Sequence, residues 1–380
     1  MSPLPYRDEH RIFRASVRRF LEREVVPNIR AWEDEGLVPR SAWRRMGEQG
    51  FLCTDVPEAY GGVGGDFLYA VVVAEELGRI AFTGLAAPLH SDIVVPYLTA
   101  FGSDLLKRRL LPGCVRGELI AAVAMTEPDA GSDLAAIRTR VEQQGDQLVL
   151  NGAKTFISNG AEADVVIVAA RDPAVAEPHA AIDLVVVEAG TPGFSRGKRL
   201  DKIGWRANDT AELFFDDCRV PVGNRLGQKG AGFRMLMDKL KQERLMVALI
   251  AVATAEAILE QTVAYVKERR AFGQPLSAFQ NTRFRLAEAA TEVRVGRAFL
   301  DKLIVDHLAG AATVEEVSMA KYWCADAAMR AVDGCLQLHG GYGYTEEYPV
   351  ARAWRDLRVL SIFAGTNEIM KTIIAKQLGL

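Results

Sequence analysis

A carboxylate lies inside an apolar helical stripe in the second half of the chain. At spacings of 4, 3, 4 and 3 residues, the stripe consists of Leu236, Leu240, Glu243, Val247 and Ile250. These spacings follow one face of an α-helix, so the pattern predicts that Glu243 is buried. Burial disfavours the charged form of a carboxylate and raises its pKa, which suits a general base. The spacing alone leaves two interpretations open, a general base or one half of a buried ion pair with an arginine of another helix.

Two loop segments have compositions that suit the binding of anions or of a polarised ring. The segment 124–134 follows a β-type run and is rich in small and hydroxyl residues, which expose backbone N–H groups. In the segment 363–369, Thr366 is predicted to be the N-cap of a helix, and a helix N-terminus can hold an anion. On composition alone, an ordinary turn and plain helix capping are the commoner explanations of these two segments.

Several other chemistries are disfavoured by the residue pattern. The five histidines show no metal-ligand spacing, and no H-E-x-x-H, G-x-S-x-G or Walker motif is present, so no metal site is expected. The five cysteines are scattered without a C-x-x-C pair, which argues against structural zinc and disulfides and fits a reducing compartment. The glycine-rich segment 340–343 follows a helical pattern, so it is interpreted as a helix end and turn rather than a dinucleotide loop.

The elements that would position these residues fall into three blocks. The length of 380 residues suggests two or three domains. Residues 1–118 show helical periodicity, residues 119–228 contain short β-type runs separated by Gly and Pro, and residues 229–380 return to long helical patterns. The expected fold is therefore α+β and multidomain, with a helical domain, a compact all-β domain and a helical bundle.

Charge and hydropathy exclude some classes of partner. The chain has 46 Lys and Arg against 49 Asp and Glu, a net charge of −3, so no basic excess exists to bind nucleic acid. No uninterrupted apolar run reaches the length of a membrane span, and the first residues do not resemble a secretory or transit peptide. The expected location is the cytoplasm of a bacterium, and the alternative is an organelle that holds the mature chain after removal of its presequence.

Five motifs in order along the chain resemble those of the acyl-CoA dehydrogenases, flavoenzymes of fatty-acid and amino-acid oxidation. The two most specific are 124–136, which contains T-E-P-D-A-G-S-D, and 337–344, which continues through Glu347 and Arg352 to Asp356. The others are 156–160, 269–273 and 365–369. The resemblance covers nearly the whole chain and implies an N-terminal helical domain, a middle β-barrel, a C-terminal four-helix bundle and a homotetramer that holds FAD partly across a subunit interface.

The resemblance also implies roles for individual residues. Those expected to face the flavin ring are Met125, Thr126, Phe156, Ile157 and Ser158. Those expected at the diphosphate and adenine end of FAD are Arg269, Phe272 and Gln280. A neighbouring subunit is expected to complete the FAD site with Gln337, Leu338, His339, Gly340 and Gly341. Thr366 and Glu368 would flank the adenosine, and Ser132, counted with the cofactor residues, would also touch the CoA moiety.

The implied reaction converts an acyl-CoA thioester to the trans-2-enoyl-CoA. In this family a carboxylate removes the α-proton and the β-hydrogen leaves as hydride to flavin N5. Hydrogen bonds from a flavin ribityl hydroxyl and a backbone N–H to the thioester carbonyl stabilise the enolate-like charge. The implied electron acceptor is an electron-transfer flavoprotein. The sequence has no large extra C-terminal region of the kind found in acyl-CoA oxidases, which favours a dehydrogenase.

The sequence departs from the commonest family pattern at the base. Most members place the catalytic glutamate immediately before the Gly-Thr pair, where this chain has Ala364. Members similar to the long-chain and isovaleryl-CoA dehydrogenases instead carry the base on the first long bundle helix, where this chain has Glu243. Glu243 is therefore predicted to be the base, and Arg244, Ala364 and Gly365 are expected beside the substrate.

The small side chain of Ala364 predicts tolerance of long or methyl-branched acyl chains. Two alternatives remain at this stage. One is a flavin oxidase or monooxygenase on the same fold. The other is a catalytically silent subunit of a heteromeric complex, which Ala364 would explain.

Overall fold

The computed structural model describes residues 4–380. Its N-terminal domain is helical, as predicted, and two π-helical turns, Leu21–Val25 and Leu89–Val94, interrupt it. Its helices are α1 (Asp8–Phe20), α2 (Ile29–Glu35), α3 (Arg40–Glu48), α4 (Phe67–Arg79), α5 (Val95–Phe101) and α6 (Asp104–Val115). The side chain of Asp66 caps α4, because it accepts a hydrogen bond from the Leu68 N–H at 3.0 Å.

The middle domain is a curled seven-stranded sheet. Its strands are β1 (Ala121–Ala124), β2 (Arg140–Gln144), β3 (Gln147–Ser158), β4 (Val165–Arg171), β5 (Ile182–Glu188), β6 (Phe194–Arg199) and β7 (Thr210–Pro221). The order runs β1-β4-β2-β3-β7-β6, and β5 pairs with the other edge of β4. Strands β2 and β3 form a hairpin, since they pair antiparallel across the turn at Gly145 and Asp146.

Strands β4 and β5 are buried on both faces. Ile167 and Leu184 belong to the core shared with the N-terminal helices, whereas the alternating residues Val168 and Val185 belong to the core enclosed by the curled sheet. Successive side chains of a strand point to opposite faces, so a strand buried between two cores is apolar throughout. This placement explains the continuous apolar runs in the sequence and fixes the sheet against the helices.

The C-terminal domain is helical, and its long helices pack around α9. The helices are α7 (Gly232–Glu268), α8 (Gln280–Leu308), α9 (Val314–His339), α10 (Pro349–Leu357) and α11 (Asn367–Gln377). A short hairpin, β8 (Arg270–Ala271) and β9 (Gln274–Pro275), connects α7 to α8. The predicted cap of α11 is confirmed, because the Thr366 hydroxyl oxygen accepts a hydrogen bond from the Ile369 N–H at 3.3 Å.

Helix α7 alone among the described helices is long and apolar enough to cross a membrane by length and composition. Its apolar window is 72% buried inside the protein. Packing against α4, α8 and α9 therefore accounts for its composition.

All three domains meet at the carboxylate of Asp356 on α10. This carboxylate accepts hydrogen bonds from the Trp205 N–H of the middle domain at 2.6 Å and from the Thr83 hydroxyl of the N-terminal domain at 2.9 Å. Trp205 holds a left-handed backbone conformation, with φ of 51°. The junction therefore fixes Trp205 at the wall of the cavity described below.

Candidate functional site

An apolar cavity lies at the junction of the three domains, and Glu243 and Ala364 both line it. The N-terminal domain contributes Leu89 and Ile93 from its second π-helical turn, and the middle domain contributes Trp205. A π-helical turn widens a helix locally and is frequent at functional sites. The cavity therefore combines apolar walls, which suit an acyl chain, with one ionisable side chain.

Glu243 has the environment that a general base needs. Its side chain is buried as predicted, with 8% of the residue exposed, and its Oε2 atom has no hydrogen-bond partner among residues 4–380. Burial raises the pKa of Glu243 to about 7, against the opposing effects of the Arg244 and Lys321 charges. A carboxylate with a free oxygen and a pKa near neutrality can accept a proton from a bound molecule.

The segment Ala364–Gly365 turns beside Glu243 in an uncommon conformation. Both residues are left-handed, with φ of 56° and 85°. The Arg244 Nε–H donates a hydrogen bond to the Ala364 carbonyl at 3.3 Å. No acceptor among the described residues lies within hydrogen-bond distance of the Ala364 N–H. This N–H is therefore available as a donor at the site.

Lys321 of α9 lies beside the site, and the sequence analysis did not identify it. Its Nζ donates hydrogen bonds to the Gly365 carbonyl at 2.7 Å and to Asn367 Oδ1 at 3.1 Å. A signal for it was present, since Lys321 falls at helical spacing with Val317, Cys324 and Ala328, which are all buried. This spacing predicts that Lys321 is buried, as the stripe on α7 does for Glu243.

The loop after β1 is held by a buried ion pair that the sequence analysis also missed. Lys154 Nζ on β3 donates hydrogen bonds to Glu127 Oε1 at 2.8 Å and to the Met125 carbonyl at 2.9 Å. The Glu127 carboxylate also accepts from the backbone N–H groups of Arg138 and Thr139. The Lys154 charge lowers the pKa of Glu127, and burial lowers the pKa of Lys154 to about 8. The pair fixes both ends of the loop.

The expected flavin-ring residues border this loop and the end of β3. Met125 and Thr126 are half-buried, and the Thr155 N–H donates to the Thr126 carbonyl at 3.0 Å, which joins the two segments. Phe156 is 67% exposed and left-handed, with φ of 58°, so an apolar ring faces outward. Ser158 lines the cavity of Glu243.

The structure separates some of the other expected cofactor residues from Met125, Thr126, Phe156 and Ser158. Ile157 points away from Phe156 and Ser158, because its side chain is buried in the core of the sheet. Ser132 is exposed in the loop after β1. Thr366 and Glu368 line a separate cleft with Arg358, and the Glu368 backbone N–H and the Thr366 side chain hold the pKa of the Glu368 carboxyl below its usual range.

The remaining expected cofactor residues form a second group at the C-terminal ends of α7 and α9. Phe272 is 95% exposed, and Gln280, Gln337 and Gly341 are exposed as well. The Arg269 guanidinium lies over the Tyr342 ring at 5.4 Å, beside the turn at Gly340.

Two members of this second group are less accessible. Leu338 is half-buried. His339 is buried, and its ring stacks on Tyr265 with the centroids 4.2 Å apart. Their side chains therefore support the turn that follows α9 more than they present themselves to solvent.

The two groups lie far apart in one chain. Glu243 is near the N-terminus of α7 and Arg269 directly follows its C-terminus. At a rise of 1.5 Å per residue, the intervening length of helix is about 39 Å. This length of helix separates Glu243 from Arg269 within one chain. Among residues 4–380, no cluster of three or more His, Cys, Asp or Glu side chains could hold a metal ion.

Three family models match consecutive parts of the chain. They are described as the acyl-CoA dehydrogenase N-terminal domain over residues 7–118, the middle domain over 122–218 and the C-terminal domain over 230–379. The chain is 45% identical to the mitochondrial long-chain specific acyl-CoA dehydrogenase of Sus scrofa, over 98% of this chain and 87% of the relative.

Further similarity comes from two bacterial proteins. An acyl-CoA dehydrogenase of Bacillus subtilis is 37% identical over 97% of this chain and 98% of its own length. The crystal structure of an acyl-CoA dehydrogenase from Geobacillus kaustophilus superposes with a TM-score of 0.96 and 53% identity and covers 99% of each chain.

Proposed function

The chain belongs to the acyl-CoA dehydrogenase family, whose members are FAD flavoproteins, and on this premise we propose that Glu243 is the base of its α,β-dehydrogenation reaction. The observation that carries the proposal is the free Oε2 of Glu243 beside an apolar cavity. The ionised carboxylate takes the α-proton of the acyl thioester, and the product is the trans-2-enoyl-CoA.

The residues around the cavity fit a bound flavin. The outward-facing Phe156 offers an apolar surface beside a flat ring, and the half-buried Thr126 offers a hydroxyl group. At the second group, a Cβ added to Gly340 or Gly341 would meet no atom of the chain within 4 Å, so a diphosphate can approach the backbone there, and Arg269 supplies positive charge. Bound FAD would supply the two-electron acceptor.

The chain's own residues bind and orient the substrate. The apolar walls of the cavity, including Leu89 and Ile93, exclude water from the acyl chain and from Glu243. The Ala364 N–H, which has no hydrogen-bond acceptor among residues 4–380, is the proposed donor to the thioester carbonyl, where negative charge develops as the α-proton leaves. Arg244 holds the adjoining carbonyl of Ala364 and so keeps this segment in place.

We propose long or methyl-branched acyl chains as the substrates. Ala364 places only a methyl group at the cavity wall, which leaves room beside the α and β carbons. The long-chain specific enzyme of Sus scrofa, at 45% identity, supports the same class. Ser132 is proposed to contact the CoA moiety.

The assembly proposed is a homotetramer in which each flavin lies between two copies of the chain. The separation of the two residue groups along α7 supports it, because a second copy would bring Gln337 to Gly341, expected from the neighbouring subunit, to the first copy's site, and with them the adjacent Arg269, Phe272 and Gln280. The exposed aromatic rings of Phe272 and Tyr344 fit coverage by that copy. An electron-transfer flavoprotein is the proposed acceptor and the bacterial cytoplasm the proposed location.

An anaerobic titration with a series of acyl-CoA thioesters tests the substrate class. We expect long straight chains and α-methyl-branched chains to bleach the oxidised flavin band. Ala364→Leu should lower kcat/KM for branched chains at least tenfold more than for straight chains, since the added atoms fill the space beside the α carbon. Ala311→Leu, at an exposed position, is the control and should leave kcat/KM unchanged for both branched and straight chains.

Three outcomes of this series contradict parts of the proposal. Reduction by short unbranched chains alone contradicts the substrate class. Fast reoxidation of the reduced flavin by oxygen favours the oxidase alternative. Failure of every thioester to reduce the flavin favours the silent-subunit alternative and rejects the proposed reaction.

A further inference from the structure

Lys321 is a fully buried lysine whose hydrogen-bond acceptors are neutral oxygens. None of the residue is exposed, and its Nζ donates to the Gly365 carbonyl and to the side-chain oxygen of Asn367. Among residues 4–380, no carboxylate lies within 4.0 Å of Nζ. The ammonium charge is therefore held in the protein without a directly bound counter-ion.

A buried cation of this kind is costly for stability alone. Transfer of an ammonium group out of water is compensated only by close pairing and full hydrogen bonding, and apolar replacements of buried ions are often as stable or more so. The acidic groups that act on the Lys321 charge are Asp326, Glu368 and Glu243. Of these three, Glu243 is the carboxylate that lines the cavity.

Lys321 and Arg244, which lie on two different helices, donate hydrogen bonds to two successive carbonyls. Arg244 of α7 binds the carbonyl of Ala364, and Lys321 of α9 binds the carbonyl of Gly365. Asn367 extends the network, because its side-chain N–H donates to Asp326 Oδ1 at 2.8 Å. A left-handed φ at Ala364, which is not a glycine, is strained and needs such support to persist. The network therefore fixes the backbone that carries the Ala364 N–H.

We propose that Lys321 is a positioning residue for proton abstraction, which anchors the Ala364–Gly365 segment through the Gly365 carbonyl and stabilises the ionised form of Glu243 by its positive charge. The inference rests on the proposed role of Glu243 as the base. Helix α9 is then a second helix, besides α7, whose residues affect the pKa of Glu243.

The charges that face Glu243 predict in which direction its pKa changes when the Lys321 charge is removed. Glu243 is faced by Arg244 on its own helix, by Lys321 from α9 and by the Tyr97 hydroxyl from α5. The Arg244 and Lys321 charges hold the pKa of Glu243 below the value that burial alone would give. Removal of the Lys321 charge therefore raises the pKa of Glu243 and moves the rising limb of activity to higher pH.

The test is the pH dependence of kcat/KM for the holoenzyme with Lys321→Met. We expect the midpoint of the rising limb to shift upward by about one pH unit, as expected for loss of a nearby charge, and kcat at pH 7 to fall at least tenfold with a smaller change in KM. The exposed Lys302→Met on α8 is the control and should match the wild type. A lower melting temperature with an unchanged midpoint would show a merely structural role and overturn the proposal.

Lys321→Arg keeps the test decisive if the methionine variant does not fold. Burial lowers the pKa of Lys321 to about 8, so the wild-type cation is lost as the pH rises above that value. Arginine stays charged, so the midpoint of the rising limb of kcat/KM should stay within about 0.3 pH units of the wild-type value. An upward shift of about one pH unit in Lys321→Arg, as large as the shift expected on loss of the charge, would contradict the proposal.

The same experiments separate this inference from the function on which it rests. Turnover that survives Glu243→Gln rejects Glu243 as the base, whatever the Lys321 variants do. An inactive Glu243→Gln together with an unshifted Lys321→Met profile rejects only the role of Lys321.

Discussion

Glu243 combines three properties that general-base catalysis requires. It is buried, one of its oxygens has no hydrogen-bond partner in the described part of the chain, and its pKa is raised to about 7, so that it is both ionised and basic near neutral pH. The apolar stripe of α7 was sufficient to predict its burial. The spacing could not show that Oε2 is free, because that depends on which side chains of α4, α5 and α9 approach it in the fold.

The pH dependence of activity follows from the raised pKa of Glu243. Since only the ionised carboxylate accepts a proton, kcat/KM should rise through a midpoint near pH 7 and then level until Lys321 begins to lose its charge. Steady-state rates between pH 5 and pH 9 with a fixed acyl-CoA check this. A midpoint near 4.5, the usual glutamate value, would contradict a buried base.

The same shift predicts a stability cost that Glu243→Gln should remove. The folded-state pKa of Glu243 lies above its unfolded value, so its stabilising contribution is complete below about pH 4.5 and is lost as the pH rises through about 7. Glu243→Gln should therefore raise the melting temperature at pH 8 by several degrees, in line with the trade-off between activity and stability. The gain should shrink at pH 5, and thermal melts at both pH values measure it.

At the scale of elements, the ends of strands and helices position the site. The cap at Thr366 and the hairpin at Gly145 and Asp146 were predictable, because each depends on residues within a few positions of one another. The Glu127–Lys154 pair was not, since its partners are 27 residues apart and meet only when β3 runs beside the loop after β1. Left-handed backbone at Phe156 and Ala364 has no sequence signal, because neither is Gly, Asn or Asp.

Lys154→Met tests whether this ion pair holds the loop for the cofactor. Breaking it leaves Glu127 buried without its cation, which costs about 3–5 kcal/mol, and releases the loop that contains Met125 and Thr126. We expect the purified variant to retain less than half of the wild-type flavin per chain, measured by absorbance, and to melt at lower temperature. The exposed Lys198→Met on β6 is the matched control. Full flavin content in Lys154→Met would refute this role of the pair.

At the scale of the whole molecule, α7 separates the two halves of the proposed flavin site. The helical, β and helical blocks of the chain were predictable from hydrophobic periodicity, and the structure has them in that order. The distance between the two halves also follows from the length of α7. The arrangement of the second copy requires surface complementarity that no pattern along one chain encodes.

Complementation between two inactive variants tests the shared site. In a mixed pair of Glu243→Gln and Arg269→Glu chains, one site has both variant residues and the other has neither. Random pairing makes half of the pairs mixed, so co-expression should restore about a quarter of the wild-type activity. Each variant expressed alone should be inactive. Co-expression without recovery would indicate that each site is built from one chain.

The most direct test of the proposed base is an anaerobic acyl-CoA titration of Glu243→Gln, with Glu260→Gln as its control. Glu260 lies on the same helix and is exposed. We expect the acyl-CoA to bleach the oxidised flavin band of the wild type and of Glu260→Gln. Glu243→Gln should bind flavin and the thioester but be reduced at least a thousandfold more slowly, as expected for loss of a general base. Reduction of Glu243→Gln at the wild-type rate would contradict the assignment of Glu243 as the base.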